Sequence, residues 1–272
     1  MDMFQYGFIQ RAFLAGLIIA VICPLIGIFL VLRRMSLIGS ALSHISMTGV
    51  ALGLLTGISP TGGAIVVCLL GSASIELLRK YFDKYAELAI AVAMSGGIGV
   101  AILLISAGNI NNATVMSYLF GSLVTTSEID LYIISRASIL VFLIIMVFYR
   151  KLFYIAFDEE GAYYAGINTT WVNLLFMLLT GLTVAVSIRI VGILLVAPLM
   201  TIPVAASLQL AASFKQATVI SIVFAIISVV SGIITSYYLD LAPGGTIIII
   251  SLLILVLSIA LRKSVTVFRG TS

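Results

Sequence analysis

The stretch LRRMSLIGSALSHISMTGVALGLLTGISP, residues 32–60, joins a basic pair to an apolar helix with a few polar side chains on one side. His44 within it is the single histidine of the chain. At about 3.6 residues per turn, Ser40, His44 and Thr48 fall at i, i+4 and i+8, with Ser43 and Met47 flanking and Ala51 continuing the face. Leu42, Ile45 and Leu52 point elsewhere. Periodicity leaves two readings open. In one, the hydroxyls and His44 bond to neighbouring helices, and Gly49 and Gly53 permit close approach. In the other, the stripe lines a path for a hydrophilic solute and His44 is a transient ligand. Imidazole suits zinc and other late transition metals, and a thioether suits softer ions. One histidine cannot build a tight zinc site, which takes about four ligands, but a conducting path needs sites that the ion can leave. A two-fold dimer with the stripe on its axis would present each ligand twice.

Around this stretch the chain is apolar throughout. Of 272 residues 62% are hydrophobic and 9% charged, against about 25% charged in soluble domains. That excludes a soluble fold and defines an all-α integral membrane protein, a polytopic bundle of 8 or 9 helices. Unbroken apolar runs argue against a barrel, whose strands alternate. Windows of about 20 residues place spans near 12–32, 41–58, 60–78, 87–106, 131–149, 171–188, 190–212, 217–236 and 246–261. The first is too long for a signal-peptide core and reads as a retained span. Part of 107–130 is expected to form a short interfacial or re-entrant helix. Cys23 and Cys68 sit alone in apolar runs and read as buried thiols. Residues 1–272 read as a single transmembrane domain.

The basic clusters at 33–34, 77–87, 148–151 and 262–263, with Lys215, fall on one side of a nine-span path. The loops at 107–130 and 237–245 carry no lysine or arginine and fall on the other. By the excess of cations on cytoplasmic loops, the C-terminus is inside and the N-terminus outside. Arg11 and Arg189 depart from this pattern. Arg136 and Glu76 lie near enough to span ends to reach the interface by their own length. The longest inner loop, about 150–170, holds Asp158, Glu159 and Glu160 in a row and then Gly166. Carboxylates favour a helix N-terminus and glycine a left-handed terminus, so a short exposed helix is expected there. It suits docking of a partner, or it is an ordinary solvated loop.

Enzymatic constellations are missing. No phosphate-binding loop and no H-E-x-x-H motif occurs. Ser43 and His44 are adjacent and do not face each other on a helix. Polar groups inside spans are therefore the functional candidates. Pro198 and Pro203 interrupt the run at 189–210, as in helices that line transporter cavities, or merely kink a span.

The 32–60 stretch resembles the signature of the membrane permeases of bacterial ABC importers for zinc, manganese or iron. VGILLVAPLMTIPVAAS (191–207), FDEEGAYYAGI (157–167) and SYLFGSLV (117–124) are similar to further segments of that family. The resemblance implies a homodimeric permease in the bacterial cytoplasmic membrane. Its partners would be a separate cytoplasmic ABC ATPase, docked at Asp158, Glu159, Glu160 and Gly166, and an extracellular metal-binding protein, with no nucleic acid. It places His44 on the metal path, with transported Zn2+ or Mn2+ and no stably bound cofactor. The FDEE form leans towards zinc members. The family has aspartate four residues before the histidine; here that residue is Ser40, a neutral oxygen donor. An ion-coupled secondary transporter is the alternative, and it would need mid-span acids that the sequence lacks.

Overall fold

The computed structural model describes residues 5–82, 85–108, 110–122 and 127–269. Asp83 and Lys84 of the 77–87 cluster, and residues 123–124 of the 117–124 segment, lie outside them. Every described element is a helix: α1 (Gly7–Leu32), α2 (Leu37–Thr56), α3 (Pro60–Tyr81), α4 (Ala86–Ala107), α5 (Asn112–Phe120), α6 (Glu128–Phe157), α7 (Glu159–Tyr164), α8 (Thr169–Val191), α9 (Val196–Leu210), α10 (Phe214–Leu239) and α11 (Pro243–Arg269). Eight are long and apolar enough to cross a membrane, and α9 is a shorter apolar helix.

Local chemistry sets the boundaries. Ser59 accepts a hydrogen bond from the Gly62 amide at 3.1 Å, and Pro60 takes the first helical position of α3, where a missing N–H costs nothing. Ser127 and Asp130 form a reciprocal capping box that opens α6. α1 ends in a left-handed residue that is not glycine: Arg34 has φ 57°, and the Met35 amide bonds back to the Leu30 carbonyl at 2.8 Å.

Two expected boundaries change. The span expected at 190–212 is divided. α8 runs on to Val191, Gly192 turns the chain at φ 90°, and α9 begins at Val196. The break sits in an unbroken apolar run because it packs against the end of α5. There the Ile193 amide bonds to the Tyr118 carbonyl at 2.9 Å, and a Cβ on Gly192 would meet the backbone of Leu119 to Gly121. The 150–170 loop is mostly helical, since α6 continues to Phe157 and only short connectors flank α7. The short helix expected within 107–130 is α5.

α1 and α8 form the centre, each with 72% of its most apolar window buried, while α4, at 17%, α6 and α11 present most of their surface outward. α2 packs on α3 at backbone contact: a Cβ on Gly49 would lie 2.7 Å from the Ala64 Cα. Such approach through small residues stands in for the hydrophobic drive that lipid removes. Many hydroxyls within spans bond locally, as Thr180, Thr183 and Ser187 each donate to the carbonyl four residues back at 2.7–2.8 Å.

Contacts sort the helix termini into two ends. At one, Arg33 after α1 meets Glu159 of α7, Phe214 of α10 packs on Phe153 and Phe157 of α6, and Arg262 of α11 donates to Gln209 of α9 at 2.9 Å. At the other, Arg11 pairs with Glu128 at 3.7 Å and Arg189 with Asp130 at 3.2 Å. The cationic clusters at 33–34 and 262–263 and Lys215, next to Phe214, therefore share the first end with α7.

Candidate metal path and docking helix

Over its first three turns α2 buries most of its surface and leaves one narrow strip open. Along it Ser40, His44 and Met47 are half-buried, and Leu37 before them is exposed. These positions follow a 4–3 spacing, which stays on one line of a helix, whereas 40, 44 and 48 drift by about 40° per step at 100° per residue. The drift carries Thr48 into the bundle, where it is buried and donates to the Gly97 carbonyl of α4 at 2.8 Å. Ser43 rolls off the other side, is 2% exposed and donates to the Gly39 carbonyl at 2.8 Å. Of the two expected on the stripe, Thr48 thus ties α2 to α4 and Ser43 bonds within α2, and the open stripe is Ser40, His44 and Met47.

α9 lies beside this strip: a Cβ on Gly39 would sit 3.5 Å from the Ala197 Cβ and 3.6 Å from the Met200 sulfur. The two prolines differ. Pro198 occupies the first turn of α9, where its ring needs no kink, and is half-buried along with Thr201 and Ala205. Pro203 lies in the helix interior and is buried, so it faces the protein and lines nothing open. Towards the Arg189 end the strip meets α5. Met47, Ala51 and Leu54 meet Val115 and Tyr118 of α5 and Ile193 around a void of about 10 Å³. That is scarcely room for one water and none for a hydrated cation.

Tyr118 is held from behind. The Arg189 guanidinium donates to its hydroxyl and stacks 5.2 Å above its ring. Asp130, 6% exposed, pairs with Arg189, accepts from Thr61 at 3.2 Å and from the Ser127 hydroxyl at 2.8 Å. The network ties α3, α5, α6 and α8 together. Sequence reasoning assigned Arg189 to an outer loop. The missed signal was the S-x-x-D capping pattern at 127–130 beside an arginine inside an apolar run, where a lone charge demands a partner.

The opposite end carries α7. Asp158 caps it, accepting from the Gly161 amide at 2.8 Å. Gly166, at φ 82°, ends it with paired bonds from the Gly166 amide to the Tyr163 carbonyl and from the Ile167 amide to the Ala162 carbonyl, each 3.0 Å. Glu160, Tyr163 and Tyr164 face outward. Glu159 instead turns to the bundle, accepting from the Asn173 side chain at 2.6 Å and lying 3.6 Å from Arg33. The Arg33 side chain, only 4% exposed, donates to Asn173 at 2.9 Å and sits over the Phe176 ring. Burial lowers its pKa from the ordinary value, and the Glu159 carboxylate opposes that shift. Glu76 is 3% exposed and accepts from Arg79 at 2.9 Å, so it is buried and paired and does not reach for the interface. Neither Arg33 nor Asn173 was singled out from the sequence, because a basic pair after a span reads as a solvated loop.

Cys23 and Cys68 are buried; Cys23 lies 3.4 Å from the Ser187 hydroxyl and the Cys68 thiol donates to the Leu42 carbonyl at 3.4 Å. Among the described residues no group of three His, Cys, Asp or Glu is placed to hold an ion. The donors that the stripe presents are a hydroxyl, an imidazole and a thioether.

A multi-pass bundle with a polar strip on one helix and a capped helix at its cationic end has the architecture of an ABC importer permease for metals. The profile of the ABC 3 transport family matches residues 5–262, and the chain belongs to that family. It is 39% identical over 261 residues to a probable metal transport system membrane protein of Treponema pallidum, covering 96% of this chain and 98% of that one. It is 28% identical to a manganese transport system membrane protein of Halalkalibacterium halodurans, over 92% of this chain and 86% of that one. It is equally 28% identical to the high-affinity zinc uptake system membrane protein of Haemophilus influenzae, over 93% of this chain and 97% of that one, and so no closer to one metal than to the other. Among solved structures, PsaBC from Streptococcus pneumoniae in complex with Fab superposes with a TM-score of 0.83 at 27% identity, covering 94% of this chain and 92% of that one. The chain is a metal-transport permease and not itself a catalyst.

Proposed function

We propose that this chain is the permease of an ATP-driven importer that carries zinc into the cell through a pathway shared by two copies of itself. The observation that carries this reading is the open strip of Ser40, His44 and Met47, an imidazole flanked by a hydroxyl and a thioether. The donor set supports zinc over manganese. Imidazole suits zinc, whereas manganese prefers carboxylate and carbonyl oxygen, and the strip has no carboxylate because residue 40 is serine. Two copies facing across a two-fold axis would bring two such strips together, with Pro198, Thr201 and Ala205 of α9 beside each. The cationic end lies in the cytoplasm, which puts the C-terminus inside, the N-terminus outside and α7 where an ABC ATPase docks through Asp158, Glu160 and Gly166. A metal-binding protein delivers the ion at the Tyr118 end. The manganese importer is the second reading, favoured by the relatives that bear that name.

Growth of cells lacking this chain, under chelation of each metal, separates the two. The expected result is failure under zinc depletion that added zinc relieves and added manganese does not. Failure relieved by manganese alone would assign the chain to that metal.

A further inference from the structure

Arg33 stands where α1 turns into α2, the helix that carries His44, and its only way to stay charged in a nearly closed site is to keep its partners. Those partners are Asn173 of α8 and Glu159, the first residue of α7. α7 has six residues, joined to α6 through Asp158 alone and to α8 through residues 165–168. Of its other side chains Ala162 is buried in the core, whereas Tyr163 is 66% and Tyr164 84% exposed. Glu159 is thus the one carboxylate by which α7 grips the bundle, among its described ion pairs.

The geometry around Arg33 is stiff. Arg34 is held left-handed, and the Met35 amide closes the turn on Leu30. α2 starts at Leu37, and His44 follows about 10 Å further along its axis. The same cluster takes in α3, where Glu76 and Arg79 pair and share a cavity of about 240 Å³ with Glu159 and Asn173. Lys80 lines the same cavity, so the two carboxylates there are shared among two guanidinium groups and an ammonium. If a partner displaces α7, the Glu159 carboxylate moves with it. The buried guanidinium must then follow or lose its counter-charge, and following shifts the turn that aims α2.

We propose that Arg33 and Glu159 are positioning residues that transmit movement of the docking helix α7 to the His44-bearing helix α2. This rests on the docking of an ATPase at α7 proposed above. Neither residue touches the metal; both act through the α1–α2 turn.

The test uses the permease assembled with its ATPase in lipid vesicles and follows ATP-dependent entry of labelled zinc, ATP hydrolysis and retention of the ATPase. Arg33→Gln and Glu159→Gln are each expected to keep the ATPase bound and hydrolysing within about twofold while zinc entry falls about tenfold or more, within the range of couplings between sites. The exchange variant, Arg33→Glu with Glu159→Arg, restores the charge balance and is expected to recover entry to within about threefold of the parent. Arg33→Lys, which keeps the charge on a shorter reach, is expected to fall between and serves as the arm if Arg33→Gln does not assemble. Entry and hydrolysis falling together with loss of the ATPase would make Glu159 part of the docking surface and overturn the proposal. So would unchanged entry in the single variants, or an exchange variant no better than either. If the parent itself shows no ATP-dependent entry, the functional reading fails first and the coupling with it.

Discussion

Thr48 and His44 are four residues apart on one helix, and their surroundings assign them opposite work. The Thr48 hydroxyl is spent on the Gly97 carbonyl inside the bundle, while the imidazole remains on the open strip. Thr48→Val keeps the shape and removes the bond, so it is predicted to cost about 1 kcal/mol, the scale of such bonds within membranes. Thermal unfolding in detergent should show a small drop, with metal uptake within about twofold of the parent; a tenfold loss of uptake at unchanged stability would return Thr48 to the path. Asp130→Asn removes the counter-charge of Arg189 and is predicted to destabilise by roughly 3 kcal/mol, because it breaks a largely buried pair. The same unfolding assay reads it, and an unshifted midpoint would contradict the pairing. The polar character of positions 40, 44 and 48 was plain in the sequence. Their division was not, since it depends on how α2 is rotated against α3 and α4, a matter of the Gly49 and Gly63 backbone contact and of nothing local to residue 48.

Elements differ in how openly the sequence declared them. α7 was legible at both ends, because acids at 158–160 and a glycine at 166 are the chemistry of a helix start and a left-handed stop. The break between α8 and α9 was hidden. Residues 190–196 are apolar on either side of Gly192, since the chain there packs under α5 and pairs with its last residues. α9 was read as part of a longer span for the same reason. Its role as one wall beside the strip rests on Pro198 and Thr201 remaining half-buried while Pro203 turns inward. At this scale the docking helix gives a direct prediction. Asp158→Ala removes an N-cap worth about 1 kcal/mol, and Gly166→Val forces a branched side chain into a left-handed turn at about 1–2 kcal/mol. Both should weaken retention of the ATPase on affinity purification severalfold, with the thermal midpoint of the bundle little changed. Full retention in both variants would show that α7 is not the docking element.

As a whole molecule, the bundle puts its two most buried helices at the centre and leaves most of α4, α6 and α11 facing outward. Two ionic networks sit at opposite ends. The one around Arg189 backs the contact of Tyr118 over Met47 and Ala51, and the one around Arg33 joins α7 to the turn before α2. His44 lies between them on a strip that the single chain leaves open. Composition alone identified the membrane fold and the family resemblance identified the trade. The two networks escaped because an arginine beside a span end looks the same in sequence whether it meets water or a buried carboxylate. The central claim is that metal passes along the His44 strip. The most direct measurement is ATP-dependent entry of labelled zinc into vesicles holding the assembled importer, comparing the parent with His44→Ala at equal permease and ATPase content. The account predicts that entry falls at least about tenfold while ATP hydrolysis persists, as for loss of an interaction made during transit. Entry at the parental rate through the His44→Ala permease would contradict it.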